Sequence, residues 1–321
     1  MAGGLSLKVT NRVPKKPIKK LPSSIDIAGD ATVDDVKISV AKAAGISDHN
    51  RLGIYDPATK KTLKDRKARI ADQEGISKHG EILVKDMGPQ VSWRTVFVIE
   101  YLGPLLFHPP VLALRNYIYP PLYSLFKGHI PASPVTEELS LAQKAGFAMI
   151  MLHFLKREYE TVFVHKFSAS TMPVANIFWN SLFYWAAAGA LGAFEVYAPF
   201  SPAANATEPL TTYLGITLFL FGQIGNFRIH KYLSGLRKPG ETERKLPQGF
   251  TFQLVTCPNY MFEVIAWAGI IVTTRSPSLI FFISIGMYYM WTWGWGKEKA
   301  YRKQFGDKYK KKRSVMLPGL L

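Results

Sequence analysis

Residues 210–230 read LTTYLGITLFLFGQIGNFRIH, a long apolar run that ends in a group of polar side chains. The run approaches the roughly twenty residues that a membrane-spanning helix needs. Polar residues such as Gln223, Asn226, Arg228 and His230 are costly at membrane depth unless they are paired or hydrated. The stretch therefore predicts a transmembrane helix with a polar site at its end.

Comparable apolar stretches dominate the sequence from Val91 onward. The predicted spans are 91–114, 140–156, 174–197, 210–230, 250–273 and 277–296. Gly103-Pro104 and His108-Pro109-Pro110 interrupt the first, so it is either one broken helix or, with the apolar residues up to Phe126, two shorter ones. For residues 89–321 the predicted fold class is an all-α, multispanning membrane domain of about six or seven transmembrane helices.

Residues 1–88 contain short alternating segments instead of long apolar runs. Four strands are predicted, at Leu5–Val9, Ser23–Ile27, Leu52–Tyr55 and Glu81–Val84. A helix between the second and third begins at Thr32 with Asp34 and Asp35, and Gly45 ends it. This order resembles the ubiquitin-like α+β fold. The segment carries no catalytic constellation, so it is predicted to be a cytosolic docking or stabilising domain.

Composition supports apolar spans joined by basic loops. The 321 residues are 48% hydrophobic and carry a formal net charge of +17. Because Lys and Arg flank the apolar stretches, membrane lipid and an anionic cofactor or substrate are the expected partners, and nucleic acid is not. Cys257 is the one cysteine, which excludes an intrachain disulfide and a multi-cysteine metal site. The polar Met1–Asn11 segment predicts no cleavable signal peptide.

The distribution of charge predicts the orientation of the spans. Basic segments, expected on the cytosolic side, are the N-terminal domain, Lys156–Lys166, Lys231–Lys245 and the tail from Lys297. Ala198–Pro209 has no Lys or Arg and contains the sequon Asn205-Ala206-Thr207, which is usable only on the lumenal side. Both termini are therefore predicted to be cytosolic.

Polar residues inside the predicted spans are the candidates for function. Glu100 lies among Val, Phe and Ile, so its carboxyl must be protonated, paired or functional. Asn226 and His230 are four residues apart and share one helical face, as do Asn259 and Glu263. Tyr260 could alternatively be an interfacial anchor, and His230 could be a helix-end residue that faces lipid headgroups. Together these residues predict a polar cavity open to the cytosol.

Four stretches resemble the steroid 5α-reductase family and, within it, the trans-2-enoyl-CoA reductases of very-long-chain fatty acid elongation. These are Gly225–His230 with Leu236-Arg237; Cys257–Tyr260 with Glu263, Trp267 and Gly269; Lys299–Phe305 with Tyr309, Arg313 and Pro318; and Lys156–Thr161 with His165–Phe167. With the N-terminal domain, the resemblance covers essentially the whole chain.

The resemblance implies an endoplasmic reticulum enzyme that uses NADPH to reduce very-long-chain trans-2-enoyl-CoA, the last step of the elongation cycle. Other elongation enzymes are candidate partners. It implies Tyr260 as the acid, and Glu100 is the second catalytic candidate. The implied cofactor-binding residues are Asn226, His230, Arg237, Asn259, Glu263, Lys297, Tyr301, Arg302 and Arg313, and no metal is implied. No GxGxxG motif is present, so helix ends and side chains must build the dinucleotide site.

Two alternative functions remain open. Another conjugated lipid, a 3-oxo-4-ene steroid or a polyprenol, could be reduced by the same chemistry. Steroid-reducing members lack the N-terminal domain, and they carry a histidine pair where this chain has Lys297 and Glu298. A non-enzymatic membrane adaptor would tolerate replacement of Glu100 and Tyr260. A transporter is disfavoured because the halves of the sequence show no internal repeat.

Overall fold

The chain forms two compact units, one of Met1–Trp93 with Phe167–Asn176 and one of Arg94–Lys166 with Ile177–Leu321. They are seen in a computed structural model, which describes residues 4–126, 138–167, 171–236, 245–310, 312 and 314–320. Arg237 and Arg313, both predicted to bind the cofactor, lie outside the described residues.

The first unit is built on short strands, as the alternating pattern predicts. Its elements are β1 (Leu5–Asn11), β2 (Ser24–Ile27), α1 (Val33–Ala44), β3 (Leu52–Tyr55), α2 (Glu74–His79), β4 (Glu81–Asp86), β5 (Gln90–Ser92) and β6 (Thr171–Pro173). Four strands form a sheet in the order β2-β1-β4-β3, in which β1 and β4 are parallel and the other pairs antiparallel. β5 pairs antiparallel with β6. The predicted order of strands and helix is confirmed, and β1 and β4 each run two residues further.

Helix α1 begins and ends where the sequence predicts. The Thr32 hydroxyl accepts a hydrogen bond from the Asp35 backbone N–H at 3.2 Å, and the Asp35 carboxylate accepts one from the Thr32 N–H at 2.8 Å. This capping box satisfies two backbone donors that helix geometry leaves unpaired. Gly45 ends the helix with a φ of 69°, a left-handed conformation that glycine adopts without strain. The buried face of α1 packs into the core of the sheet.

The second unit is helical. Its helices, the first and fourth of which begin in the first unit, are α3 (Trp93–Ala113), α4 (Arg115–Leu125), α5 (Leu141–Tyr159), α6 (Ala175–Phe183), α7 (Gly192–Val196), α8 (Pro209–Gly235), α9 (Phe250–Leu254), α10 (Pro258–Thr274) and α11 (Pro277–Phe305). π-Helical segments continue α5 at Glu160–Val164 and join α6 to α7 at Tyr184–Leu191. Each predicted span therefore corresponds to one or two helices.

The first predicted span is a continuous helix, α3, despite its three prolines. A second helix, α4, contains the apolar residues that follow. Two contacts with the second π-helical segment hold α3: Trp185 Nε1 of that segment donates to the Ile99 carbonyl at 2.8 Å, and His108 Nε2 of α3 lies 2.9 Å from the Ala188 carbonyl oxygen. These contacts fix the part of α3 that carries Glu100.

Within the described residues, α3 is also the helix whose length and apolar composition suit a membrane span. A single helix of this kind is weak evidence for a membrane, because core helices of soluble proteins can have the same properties. The other long helices carry charged or amide side chains within or beside their apolar runs, such as Gln223, Asn226 and Arg228 in α8. These residues lower the mean hydropathy of the helices that form the polar site.

Helices α8 and α10 pack through a seam of glycines. A Cβ atom added to Gly222 would overlap with the backbone nitrogen of Ala266, and one added to Gly269 would overlap with the Gly215 carbonyl oxygen. The seam lets the two backbones approach more closely than larger side chains allow. It thereby brings the polar ends of α8 and α10, which carry Asn226 and Asn259, into contact.

Candidate active site

The π-helical turn after α5 places Glu160 at the centre of a buried charge cluster. Its side chain has no solvent exposure, and it lies 2.8 Å from Arg157 Nη1, 3.3 Å from Lys156 Nζ and 3.0 Å from His230 Nδ1. Burial alone would raise the pKa of the Glu160 carboxyl, but the His230 hydrogen bond and the Arg157 and Lys156 charges lower it. Glu160 is therefore an ionised acceptor at neutral pH.

Asn226 connects this cluster to the start of α10. Its Oδ1 accepts a hydrogen bond from Lys156 Nζ, and its Nδ2 donates to the Asn259 backbone carbonyl at 2.8 Å. The shared face predicted for Asn226 and His230 is confirmed, because both side chains contact the segment Lys156–Glu160. Asn259 takes part in this network through its backbone carbonyl oxygen, not through its side chain.

Glu263, one turn further along α10, faces a second polar group. Its Oε1 lies 3.4 Å from His153 Nε2 on α5, and it accepts a hydrogen bond from Trp267 Nε1 at 3.3 Å. The other ring nitrogen of His153 lies 2.8 Å from Gln223 Nε2 on α8. The polar faces predicted for α8 and α10 therefore meet across α5.

Glu100 is connected to the same site through Arg157. Its side chain is 2% exposed, with Asn180 and Tyr101 as hydrogen-bonding neighbours. Tyr101 accepts a hydrogen bond on its hydroxyl from Arg157 Nη2 at 2.8 Å. Glu100 Oε2 has no hydrogen-bond partner within the described residues, so one carboxylate oxygen is available to a ligand.

Tyr260 lies in the first turn of α10, directly after the break that separates this helix from α9. Pro258 occupies the first position of α10, where its missing N–H costs no helical hydrogen bond. The predicted span 250–273 is therefore divided into two helices, α9 and α10. Lys297 of α11 places its Nζ 5.0 Å from the centroid of the Tyr260 ring, so the ammonium lies beside the aromatic ring. Arg157 is also within electrostatic range of both Tyr260 and Glu100.

Glu298, next to Lys297, fastens the C-terminal tail to the same region. It is fully buried and accepts hydrogen bonds from Thr256 at 2.6 Å, Arg302 at 2.8 Å and the Tyr309 hydroxyl. Burial raises the pKa of this carboxyl, but the hydrogen bonds lower it below its ordinary value. The tail also contributes the Val315 carbonyl, which accepts a hydrogen bond from the Cys257 N–H at 2.8 Å.

Several predicted residues meet in one connected region, and sequence reasoning missed others. The side chains or backbone groups of four predicted residues lie close to one another around α5: Asn226, His230, Asn259 and Glu263. Tyr260 lies next to Lys297. Arg302 pairs with Glu298, and the Tyr301 ring lies against the Tyr309 ring in a tilted arrangement with centroids 5.5 Å apart. The missed residues are Tyr101, His153, Lys156, Arg157, Glu160 and Glu298, whereas Gln223 was recognised as a polar residue of α8 but was given no role. An available signal was the Lys156–Glu160 spacing of four residues beside an apolar run, which places opposite charges on one helix face.

The charge pattern favours an anionic ligand over a metal ion. Glu160, His165 and His230 offer ligand atoms within 4.8 Å of one another. However, Glu160 already pairs with the cations Lys156 and Arg157, whose charges oppose the entry of a metal ion. Buried polar atoms without a hydrogen-bond partner within the described residues include Gln223 Oε1 and Arg302 Nη2. Together with Glu100 Oε2, they are available to a polar ligand.

Comparisons with known proteins agree with this chemistry. A family model described as 3-oxo-5-alpha-steroid 4-dehydrogenase matches residues 170–321. The chain is 39% identical over 238 residues to a very-long-chain enoyl-CoA reductase of Dictyostelium discoideum, which covers 74% of this chain and 73% of that protein. The chain belongs to the very-long-chain enoyl-CoA reductase family. It is therefore an enzyme, an oxidoreductase that acts on a CH–CH group.

Two relatives of lower identity match this chain over a larger share of its length. A Schizosaccharomyces pombe protein, named as a candidate enoyl reductase, is 35% identical over 321 residues, or 99% of this chain and 100% of its own. A Homo sapiens protein named trans-2,3-enoyl-CoA reductase-like is 27% identical over 303 residues, covering 91% of this chain and 77% of its own. The family predicted from the four sequence stretches is confirmed.

Proposed function

We propose that this enzyme reduces the double bond of very-long-chain trans-2-enoyl-CoA with NADPH, giving the saturated acyl-CoA that ends a fatty acid elongation cycle. The observation that carries the proposal is the convergence of Tyr260, with its Lys297 neighbour, and the buried Glu100 on a site whose cations include Arg157. Membership of the enoyl-CoA reductase family supports the substrate class.

The chemistry requires an acid next to an electron-poor double bond. When bound, NADPH supplies a hydride to C3 of the enoyl thioester. Negative charge then develops on C2 and on the thioester oxygen. Tyr260 donates its hydroxyl proton to C2, and water later restores that proton. Glu100 orients the substrate or completes the proton relay through Tyr101, its neighbour.

NADPH fits the donor set of the site. Its phosphates require cationic or N–H donors, and Arg302 Nη2 is buried without a hydrogen-bond partner among the described residues. Gln223 Oε1 is a buried acceptor that also has no hydrogen-bond partner among the described residues, so it could accept a hydrogen bond from an amide N–H of the cofactor. We propose Asn226, His230, Arg237, Asn259, Glu263, Tyr301, Arg302 and Arg313 as the cofactor-binding residues.

The substrate chemistry explains a membrane location. A very long acyl chain is insoluble in water, whereas the CoA head group is polyanionic and suits a basic cytosolic face. We therefore propose a multispanning protein of the endoplasmic reticulum membrane with cytosolic termini. The helices that coincide with the predicted spans, and the basic segments between them, support this topology.

For residues 1–88 we propose a ubiquitin-like domain that docks to other elongation enzymes, with residues 89–321 forming the membrane domain. The sheet order β2-β1-β4-β3, the parallel β1–β4 pair and the capped helix α1 support the assignment. The predicted catalytic residues all lie outside this segment, which is consistent with a docking role.

The decisive experiment compares the purified enzyme with its Tyr260→Phe variant in detergent. We expect NADPH oxidation with a long-chain trans-2-enoyl-CoA to fall by about 100-fold or more in the variant, because the proton donor is lost. NADPH binding, followed by cofactor fluorescence, should persist. Unchanged turnover in Tyr260→Phe would remove Tyr260 as the acid.

The description of the matching family model names a 3-oxo-5-alpha-steroid 4-dehydrogenase, so reduction of a 3-oxo-4-ene steroid is a second candidate function. Each substrate class is therefore offered separately to the wild-type enzyme with NADPH. Turnover of the steroid without turnover of enoyl-CoA would replace the proposed substrate. Failure to bind NADPH at all would contradict both functions.

A further inference from the structure

Lys297 is in an unusual position for a lysine at the end of an apolar helix. Its side chain lies against the Tyr260 ring, with Nζ 5.0 Å from the ring centroid. In the described part of the chain, no salt bridge connects Lys297 to a carboxylate. The adjacent carboxylate, Glu298, is occupied by Thr256, Arg302 and Tyr309.

The neighbours of Lys297 leave the phenol of Tyr260 as its main polar partner. Cys257 and Tyr301 are the other side chains within electrostatic range, and neither is a carboxylate. A lysine ammonium that only needed solvation would extend toward water, as Lys side chains do when their stems are buried. The ammonium of Lys297 instead remains next to the group assigned as the proton donor.

We propose that Lys297 is a positioning residue for Tyr260, not a ligand of the cofactor phosphates. Its ammonium orients the phenol toward C2 of the substrate and stabilises the phenolate left when Tyr260 donates its proton. The inference rests on the proposed function, because it assigns a role within the same reduction.

The proton balance of this step is simple. The O–H bond of Tyr260 breaks and a C–H bond forms at C2, while the electron pair of the former double bond becomes the C2–H bonding pair. The phenolate formed on Tyr260 carries the negative charge that the substrate has lost. A fixed cation next to the ring favours that charged product more than the neutral phenol. Water then returns a proton to Tyr260.

The test compares Lys297→Met, which removes the charge and keeps much of the apolar stem, with the wild-type enzyme. We expect kcat to fall by about 10- to 100-fold, while the NADPH dissociation constant stays within about threefold. The solvent deuterium isotope effect on kcat should increase, because proton donation becomes slower relative to hydride transfer. The isotope effect from deuterated NADPH should decrease for the same reason.

Two variants control for a structural effect. Lys297→Arg keeps a cation and should recover a large part of kcat, which a lost packing contact would not do. Lys299→Met removes a charge from an exposed side chain two residues away on α11 and should leave kcat unchanged. Weakened NADPH binding with normal isotope effects in Lys297→Met would overturn the proposal and make Lys297 a cofactor ligand.

A measurement without substrate separates this proposal from the proposed function. Thermal unfolding of Tyr260→Phe, Lys297→Met and the double variant should reveal coupling, because removing either partner loses the same interaction. Additive shifts would show that the two side chains do not interact and would overturn the proposal. If the wild type reduces the steroid instead of enoyl-CoA, only the proposed function fails, and the isotope comparison is made with the steroid.

Discussion

Glu160 shows how a single residue can be misread from its sequence neighbours. In the sequence it belongs to Lys156–Lys166, a basic segment expected on the cytosolic side. In the structure it has no exposure and accepts contacts from Lys156, Arg157 and His230. The positive charges around it neutralise the buried Glu160 carboxylate and, in our proposal, also attract an anionic cofactor.

Replacing Glu160 with Gln should destabilise the enzyme strongly. The change keeps the size of the side chain but leaves Arg157 and Lys156 buried without their counter-charge, which costs about 3–5 kcal/mol when a buried pair is broken. We expect a large decrease in the melting temperature of the detergent-solubilised protein. Because the folded-state pKa of Glu160 is lowered, its stabilisation is present above about pH 4.3 and is lost as pH falls toward the folded value.

Glu208→Gln is the matched control for that variant. Glu208 precedes α8, is exposed and makes no capping hydrogen bond, so its loss should change stability by no more than about 0.5 kcal/mol. Equal melting temperatures for the Glu160→Gln variant and the wild type at neutral pH would contradict the buried ion cluster.

At the level of helices, the glycine seam between α8 and α10 determines the geometry of the site. The hydrogen bond from Asn226 to the Asn259 carbonyl requires the two backbones to lie close together. The π-helical turn after α5 contributes equally, since it carries Glu160 toward His230. Irregular turns of this kind occur frequently at functional sites.

Gly222→Ala should reduce stability although alanine is the better helix former. The added Cβ would overlap with the Ala266 backbone, and overpacking of this kind typically costs about 1–3 kcal/mol. In Gly286→Ala, by contrast, the nearest atom to the added Cβ is 3.7 Å away, so the gain in helix propensity of about 0.5–1 kcal/mol should dominate. The melting temperatures of the two variants should therefore change in opposite directions. A rise for both variants would contradict the close backbone contact at Gly222.

At the level of the whole molecule, the net charge of +17 and the apolar helices fit an enzyme placed between an anionic cytosolic surface and a lipid interior. In our proposal the N-terminal unit docks to other enzymes and the helical unit carries out the reduction. The first unit has a hydrophobic core of its own, and the helical unit contains every described residue of the candidate site.

The proposed topology can be tested with peptide tags in sealed microsomes. Tags at the N- and C-termini should both be digested by an added protease without permeabilisation, because the basic flanks favour the cytosol. A glycosylation sequon inserted into the loop 198–209 should be modified, and the same insertion at 237–244 should remain unmodified. Protection of either terminal tag would contradict the topology.

Local rules in the sequence were enough to determine many of the elements and the family, although they did not predict the continuous helix α3 or the π-helical segments. Thr32, Asp35 and Gly45 define α1 because caps act within a few residues of a helix end. Pro258 breaks the fifth span for a similarly local reason. The motifs around Asn226, Asn259 and Tyr260 indicated the reductase family, which the relatives confirm.

Only the tertiary structure decided which groups share the site. Lys156 and Asn226 are 70 positions apart, as are His153 and Gln223, so no local pattern links them. Their meeting depends on how closely α5, α8 and α10 pack, and shape complementarity at glycines controls that distance. The sequence alone therefore determined the helices and the kind of chemistry. Packing decided that Arg157 and Glu160 are buried within the site, and that Lys297 lies against Tyr260.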